Sequence, residues 1–88
     1  MEIVKGKTRH GFEFEIDKEN VDMELLDLLA DSIENASLMG RVLTRLLGAE
    51  QKKAFYDFIR DEKGHVPIPL ASEGIKDIFD AFKDGKNS

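Results

Sequence analysis

The side chains that could carry out chemistry in this chain are two histidines and a large set of carboxylates. Histidine is the side chain that ordinarily titrates near neutrality, and His10 and His65 each stand beside a glycine, in the tripeptides 9–11 and 64–66. An acid–base or metal-binding role would need both rings to converge with carboxylates, whereas separated histidines in turns are ordinarily solvated. The sequence therefore predicts no catalytic residues and no metal ligands.

The remaining pattern gives no sign of cofactor chemistry. A catalytic carboxylate pair needs a buried cleft that drives two pKa values apart, and these carboxylates fall on helix faces expected to be wet. The chain has no glycine-rich phosphate loop, dinucleotide fingerprint or calcium-loop spacing, and it has no cysteine for a thiolate site or a disulfide. We therefore expect a non-enzymatic protein without a cofactor.

Size and charge indicate the kind of partner. Eighty-eight residues suit one domain, 1–88, whose small core favours self-association or a partner. A formal net charge of −5 disfavours binding to nucleic acid or to an anionic membrane. No apolar run approaches the roughly 18 to 20 residues of a membrane span, and residues 1–11 lack a secretory signal. We expect a cytoplasmic protein that binds protein.

Residues 3–16 predict a β-hairpin whose register follows from the requirement that both strands sort their faces alike. A three-residue loop, 9–11, sets Thr8 opposite Phe12 and places Gly11 at the left-handed bulge position. The pairs are then Val4 with Ile16 and Gly6 with Phe14 on the apolar face, and Lys5 with Glu15 and Lys7 with Glu13 on the wet face. An isolated hairpin is marginal in water, so its apolar face is expected to pack on helices.

Apolar residues at helical spacing predict four helices after the hairpin. The segments are 21–35, 37–48, 49–60 and 69–84, with Ser37 as an N-cap, Gly48 as a stop and Pro69 in the first turn of the last helix. Residues 85–88 are expected to fray. The predicted fold is α+β, mostly α, with an N-terminal β-hairpin packed on about four helices in the part 21–84.

Charge separates the first helix from the next two. The first helix is acidic, with no lysine or arginine between Glu19 and Gly40, whereas the second and third carry five basic residues: Arg41, Arg45, Lys52, Lys53 and Arg60. The basic set could complement the acidic helix, within one molecule or between copies. Alternatively, the second and third helices form a helix-turn-helix of a small DNA-binding regulator, with Gln51 as its main neutral base reader. The acidic chain and Glu50 at the start of the recognition helix weigh against that alternative.

Two apolar stripes, in the first and last helices, are candidates for a partner-binding surface. Such stripes more often form the core, but they are generous for so small a protein, and part of them is expected to be covered only in a complex. The candidate partner-binding residues are Leu25, Leu26, Leu29, Phe79 and Phe82.

The order of segments resembles the tail assembly chaperones of long-tailed, non-contractile bacteriophages and prophages. Three segments carry the resemblance within the hairpin-and-helix order: Glu24-Leu25-Leu26-Asp27-Leu28-Leu29-Ala30; Leu46-Leu47-Gly48-Ala49-Glu50-Gln51; and residues 60–67 followed by Ile78-Phe79. Each is common alone, and their order and spacing make the resemblance specific.

The resemblance implies a function for the whole chain. A member of this family is expected to bind the long helical tape measure protein, keep it soluble and assist polymerisation of the tail tube protein around it. It would act in the host cytoplasm and be absent from the mature virion.

Overall fold

The computed structural model describes residues 2–85, with side chains through residue 83, and has a hairpin followed by helices. The mostly helical α+β class with an N-terminal hairpin is confirmed, with three helices where about four were predicted. The elements are β1 (Ile3–Lys7), β2 (Glu13–Asp17), a 3-10 turn (Lys18–Asn20), α1 (Met23–Glu34), a second 3-10 turn (Ala36–Leu38), α2 (Met39–Ile59) and α3 (Ile68–Gly85).

The hairpin has the predicted register. β1 and β2 are antiparallel, and Val4 lies opposite Ile16, Lys5 opposite Glu15, Gly6 opposite Phe14 and Lys7 opposite Glu13. The Thr8 N–H donates to the Phe12 carbonyl at 2.8 Å, and Gly11 has a φ of 104°. The requirement that apolar side chains share one face was sufficient to fix both the loop length and the pairing.

The second and third predicted helices form one element, α2, which is broken at a single residue. Gly48 has φ 83° and ψ 164°, a conformation that only glycine adopts readily, and helical backbone continues on both sides of it. The predicted stop at Gly48 is thus present as a kink. The segments 39–47 and 49–59 each bury their own apolar side toward the common core.

A side-chain cap sets the start of the first helix, and another begins the 3-10 turn that follows it. Asp22 precedes α1, and its carboxylate accepts a hydrogen bond from the Leu25 N–H at 2.9 Å. The predicted N-cap Ser37 is wrong: it lies inside the second 3-10 turn, and the side chain of Asn35 accepts from the Ser37 N–H and hydroxyl at 3.2 and 2.6 Å. Leu38 precedes α2 without a side-chain cap because the 3-10 turn leads directly into the helix.

All the longer elements contribute to one apolar core. The apolar face of the hairpin packs on α2 and α3, and Phe12 stacks at a tilt on Phe55, with ring centroids 5.2 Å apart. The largest fully buried side chains are Ile16, Leu25, Val42, Leu43, Leu46, Phe55 and Ile78.

The C-terminal prediction is only partly covered by the structure. Pro69 lies in the first turn of α3, as predicted, and the Ala71 N–H donates to the Pro67 carbonyl at 3.1 Å. Gly85, predicted to begin a frayed tail, is the last residue of α3. The rest of that tail, 86–88, lies outside the described residues.

Candidate functional site: an apolar groove between α1 and α3

The five candidate partner-binding residues occupy different environments. Leu25 is completely buried in the core, so it is not available to a partner in the folded protein. Phe79 is almost buried, and Leu29 and Phe82 are half-buried against the core. Leu26 alone is well exposed, at 42% of its full accessibility. The α1 stripe therefore divides into a core side and a solvent side.

An apolar groove of about 540 Å³ lies between α1 and α3, and we call it the α1–α3 groove. Two of the predicted residues, Leu29 and Phe79, line it. The other lining residues are Ser32, Ile33, Ala36, Met39, Ile68, Ser72, Ile75, Lys76, Asp80 and Lys83. Leu26 lies one to two helical turns before Leu29 and Ile33 on the same stripe of α1, and it does not line the groove.

Two isoleucines at the rim give the groove its open apolar surface. Ile33, at the end of α1, is 81% exposed, and Ile68, at the start of α3, is 61% exposed. Most large apolar side chains of the described chain are buried or half-buried, so two exposed isoleucines beside one groove form a concentrated apolar patch. Neither residue was singled out from the sequence, because the stripe pattern does not reveal which part of a stripe other elements cover.

Short polar contacts shape the groove at its two sides. The Asn35 cap and the 3-10 turn that follows it bring Ala36 and Met39 to one end, and the buried Ser32 hydroxyl donates to the Leu29 carbonyl at 2.6 Å. On α3, the Asp80 carboxylate lies 3.7 Å from Lys76 Nζ and 3.5 Å from Lys83 Nζ. The α3 side of the groove therefore has apolar side chains together with two lysines, Lys76 and Lys83, that share the carboxylate of Asp80.

A second, charged groove lies between α1 and the first part of α2. It brings the acidic and basic helices together within one molecule: Glu24, Asp27 and Asp31 face Arg41, Arg45 and Lys52. Arg45 also lies 3.5 Å from the Asp22 carboxylate. The Arg45–Asp22 pair is exposed to solvent, where an ion pair contributes little to stability. The main effect of the arrangement is that acidic and basic side chains offset one another's charge across the groove.

Four of the five basic residues proposed for DNA contact in the helix-turn-helix alternative, Arg45, Lys52, Lys53 and Arg60, have partners inside the protein. Asp57 accepts from Lys53 at 3.2 Å and from Arg60 at 3.1 Å, and these two hydrogen bonds lower the pKa of Asp57. Lys52 donates to the Thr44 hydroxyl at 2.9 Å. Together with the acidic side of the charged groove, these contacts leave little positive surface for a phosphate backbone.

Gln51 bonds to three backbone groups, which belong to Glu15 and Leu47. Its amide nitrogen donates to the carbonyls of Leu47 at 2.9 Å and Glu15 at 2.7 Å, and its amide oxygen accepts from the Glu15 N–H at 2.8 Å. Its side chain thereby provides hydrogen-bond partners for both backbone groups of Glu15 on the outer edge of β2 and for the Leu47 carbonyl just before Gly48. A side chain fixed in this way is not free to read bases. No feature of the sequence predicted this role.

The hairpin loop is attached to α3 through both of its polar side chains. The Arg9 guanidinium and backbone N–H donate to the Asp77 carboxylate at 2.8 to 3.3 Å, which lowers the pKa of Asp77 and raises that of Arg9. His10 Nε2 lies 2.9 Å from Glu73 Oε1. His10 thus meets one carboxylate, whereas His65 lies in an exposed turn where its backbone N–H donates to Asp61.

Within residues 2–85, no group of three or more His, Cys, Asp or Glu side chains could hold a metal ion. In the same range, no helix has the length and apolar character needed to cross a membrane. Comparisons with protein-family models, curated proteins and solved structures found no match to this chain. The α1–α3 groove is therefore the feature on which a functional proposal rests.

Proposed function

We propose that this protein is a phage tail assembly chaperone that acts by binding protein and has no catalytic activity. In this proposal it binds helical segments of a tape measure protein, keeps them soluble in the host cytoplasm and assists tail tube polymerisation around them. It then leaves the particle. The segment order that resembles this family suggests the role, and the α1–α3 groove is the observation that carries it.

The groove suits an amphipathic helix better than an extended peptide or a small ligand. Its two walls are helices, its floor is apolar, and its rim bears Ile33 on one side and Ile68 on the other. A helix laid between two helices buries a stripe of apolar residues at positions i, i+3 or i+4, and i+7, which is the usual mode of helix-in-groove recognition. A tape measure protein is expected to offer many such stripes.

The charge of the chain supports a solubilising role. With a net charge of −5, a complex coated by several copies would repel similar complexes and resist precipitation. The exposed charges of α1, among them Glu24, Asp27 and Asp31, lie in the charged groove, so a helix in the α1–α3 groove would leave them in solvent.

The first test is co-expression with the tape measure and tail tube proteins encoded in the same gene cluster. We expect the tape measure protein to become soluble and to co-purify with this chain. An insoluble tape measure protein, combined with a shifted DNA probe at moderate salt, would instead support a DNA-binding regulator. Among residues 2–85, no contact favours that second function.

Aspartate substitutions at the rim test whether the groove is the binding surface. Ile33→Asp and Ile68→Asp should each weaken capture of the tape measure protein by about tenfold to a hundredfold, because each removes roughly 1.5 to 3 kcal/mol of apolar burial. Both residues are exposed, so the variants should fold. The matched control is Met23→Asp, also in α1 and 68% exposed, about 15 Å along the helix from Ile33. Equal capture by all three variants would place the binding surface elsewhere.

A further inference from the structure

The outer edge of β1 has no strand beside it, since the sheet of the described residues consists of β1 and β2 alone. Just beyond the two ends of β1, the Thr8 N–H donates to the Phe12 carbonyl at 2.8 Å and the Lys18 N–H donates to the Glu2 carbonyl at 2.9 Å. By the register of the hairpin, the even-numbered residues between them, Val4 and Gly6, therefore bond to β2. In an antiparallel ladder the alternate residues point their N–H and C=O groups away from the partner strand. Ile3, Lys5 and Lys7 therefore direct these groups outward.

Two observations confirm this alternation. On β2, the outward N–H and C=O of Glu15 are both taken by Gln51. On the β1 side, the outward N–H of Arg9, just beyond the strand, donates to Asp77 at 2.9 Å. One residue of α2 thus bonds to the outer edge of β2, and one residue of α3 bonds to the backbone just beyond β1.

Along β1 itself, before Arg9, no strand of the described residues pairs with this edge. Within residues 2–85, the outward N–H and C=O groups of Ile3, Lys5 and Lys7 form no hydrogen bond, and all three residues are exposed. An exposed edge of this kind is a template for another strand. Its length allows about five residues of an added strand, with three of them bonded to β1.

The side chains along the edge define the partner. Lys5 and Lys7 project on the outer face, together with Ile3, which is 44% exposed. Lys7 Nζ lies 3.9 Å from the Glu13 carboxylate, whereas Lys5 has no ion pair in the described part of the chain. Opposite charges on directly facing residues stabilise strand pairing, and like charges destabilise it.

We propose that the β1 edge binds an extended acidic segment of a partner protein as an added antiparallel strand. The segment carries acidic residues opposite Lys7 and Lys5 and an apolar residue opposite Ile3, giving the pattern acidic-x-acidic-x-apolar. β1 already pairs with a strand of similar charge along its other edge. In β2, Glu13 lies opposite Lys7, Glu15 lies opposite Lys5, and Asp17 lies opposite Ile3. This binding mode does not depend on the α1–α3 groove or on its helical occupant.

A second copy of this chain fits the edge less well. Antiparallel pairing of two β1 strands centred on Lys5 would set Lys5 of one copy against Lys5 of the other, which is unfavourable. Lysines on an edge strand also prevent unspecific strand addition. The same lysines that exclude a second copy select an acidic partner.

The test uses the full chain and two acetylated and amidated peptides, TEVEVIT and its lysine counterpart TKVKVIT. We expect the acidic peptide to bind and the lysine peptide not to bind. In ¹⁵N-resolved hydrogen exchange, the amides of Lys5 and Lys7 should become protected on binding, whereas those of Val4 and Gly6 should be protected already in the free protein. Equal binding of both peptides, or binding without protection at Lys5 and Lys7, would overturn the proposal.

Two substitutions at one position separate the backbone contribution from the charge. Lys5→Pro removes the charge and the outward N–H, and it leaves the β1–β2 ladder intact because that N–H takes no part in it and proline is tolerated on an edge strand. Lys5→Pro should lower the affinity for the acidic peptide by about tenfold more than Lys5→Ala, because the alanine variant loses the same charge but keeps the N–H. Equal affinities of the two variants would contradict strand addition.

A charge reversal provides an independent readout if the proline variant fails to fold. Lys5→Glu combined with Lys7→Glu should reverse the preference, so that the lysine peptide binds and the acidic peptide does not. Retained preference for the acidic peptide would overturn the proposal. A dimer in sedimentation that Lys5→Pro abolishes would assign the edge to a second copy and would also overturn it.

Discussion

Gly74 lies in the middle of α3, where glycine normally destabilises a helix by roughly 0.5 to 1 kcal/mol relative to alanine. The reason for glycine here is space. A Cβ atom at this position would overlap the Phe55 ring, with Cε1 at 2.7 Å, and Phe55 is fully buried beneath α3. The close approach of the ring to the helix backbone thus depends on a residue without a side chain.

We expect Gly74→Ala to destabilise the protein by about 1 to 3 kcal/mol, because overpacking a rigid core outweighs the gain in helix propensity. In a Phe55→Leu background the same change should be neutral, or stabilising by up to about 1 kcal/mol. Urea unfolding of the two single variants and the double variant measures the coupling. If the losses in free energy of unfolding of the two single variants add up to that of the double variant, Phe55 is not the group that excludes a side chain at residue 74.

At the scale of elements, the attachment of the hairpin loop to α3 is a contact between segments distant in sequence. Arg9 approaches Asp77 from the hairpin loop and bonds to it through side chain and backbone. The hydrogen bonds hold the pKa of Asp77 below its ordinary value. The attachment is therefore expected to depend on pH.

The sign of that dependence follows from linkage. Because the folded pKa of Asp77 is lower than the unfolded one, about 3.9, the unfolded chain binds more protons in the acid range. The stabilisation is complete above the unfolded pKa and is lost as the pH falls through the folded pKa. The raised pKa of Arg9 has no effect in this range, since arginine stays charged throughout.

We therefore expect Asp77→Asn to lower the urea midpoint at pH 7 and pH 5, and to differ progressively less from the wild type as the pH falls below about 4. The control is Asp80→Asn on the same helix. It breaks ion pairs with Lys76 and Lys83 within α3, and it makes only a weak electrostatic contribution at Arg9 without a hydrogen bond, so it should cost less at pH 7. A difference between wild type and Asp77→Asn that stays constant from pH 7 to pH 2.5 would contradict a role for the charged Arg9–Asp77 contact.

The elements differ in how far the sequence determines them. The hairpin register was predictable because only one loop length places Val4, Phe14 and Ile16 on one face. The break in the helical backbone at Gly48 was predictable because glycine interrupts a leucine-rich pattern. The position of Gln51 beside that break was not predictable, because its side chain bonds to the carbonyl before Gly48 and to β2, a contact with no sequence signature.

At the scale of the whole molecule, the candidate site was less predictable than the fold. Periodicity identifies the stripes of α1 and α3, but which part of a stripe stays uncovered depends on how the helices diverge. Leu25 was therefore predicted as a partner contact although it lies in the core, whereas Ile33 and Ile68 became evident only from the groove. The apolar character of both helices that form the α1–α3 groove was predictable from the sequence. The distance between these helices, which leaves the groove uncovered, was not.

The placement of Leu25 leads to a prediction about the whole chain. Strands and helices share one core, so secondary and tertiary structure should be lost together. Leu25→Ala should cost about 2 to 5 kcal/mol, a large part of the roughly 4 to 13 kcal/mol expected for a chain of this size, whereas exposed Leu26→Ala should cost about 0.5 kcal/mol or less.

Far-UV circular dichroism reports the helices, and fluorescence of Tyr56, the only tyrosine, reports the second part of α2. Both signals should give one urea midpoint in the wild type and in both variants, with a large shift for Leu25→Ala alone. Separate midpoints would mean that α1 unfolds apart from the rest. In that case the Leu25 side of α1 could open to a partner without global unfolding, and Leu25 would regain the binding role that its burial in the folded chain otherwise excludes.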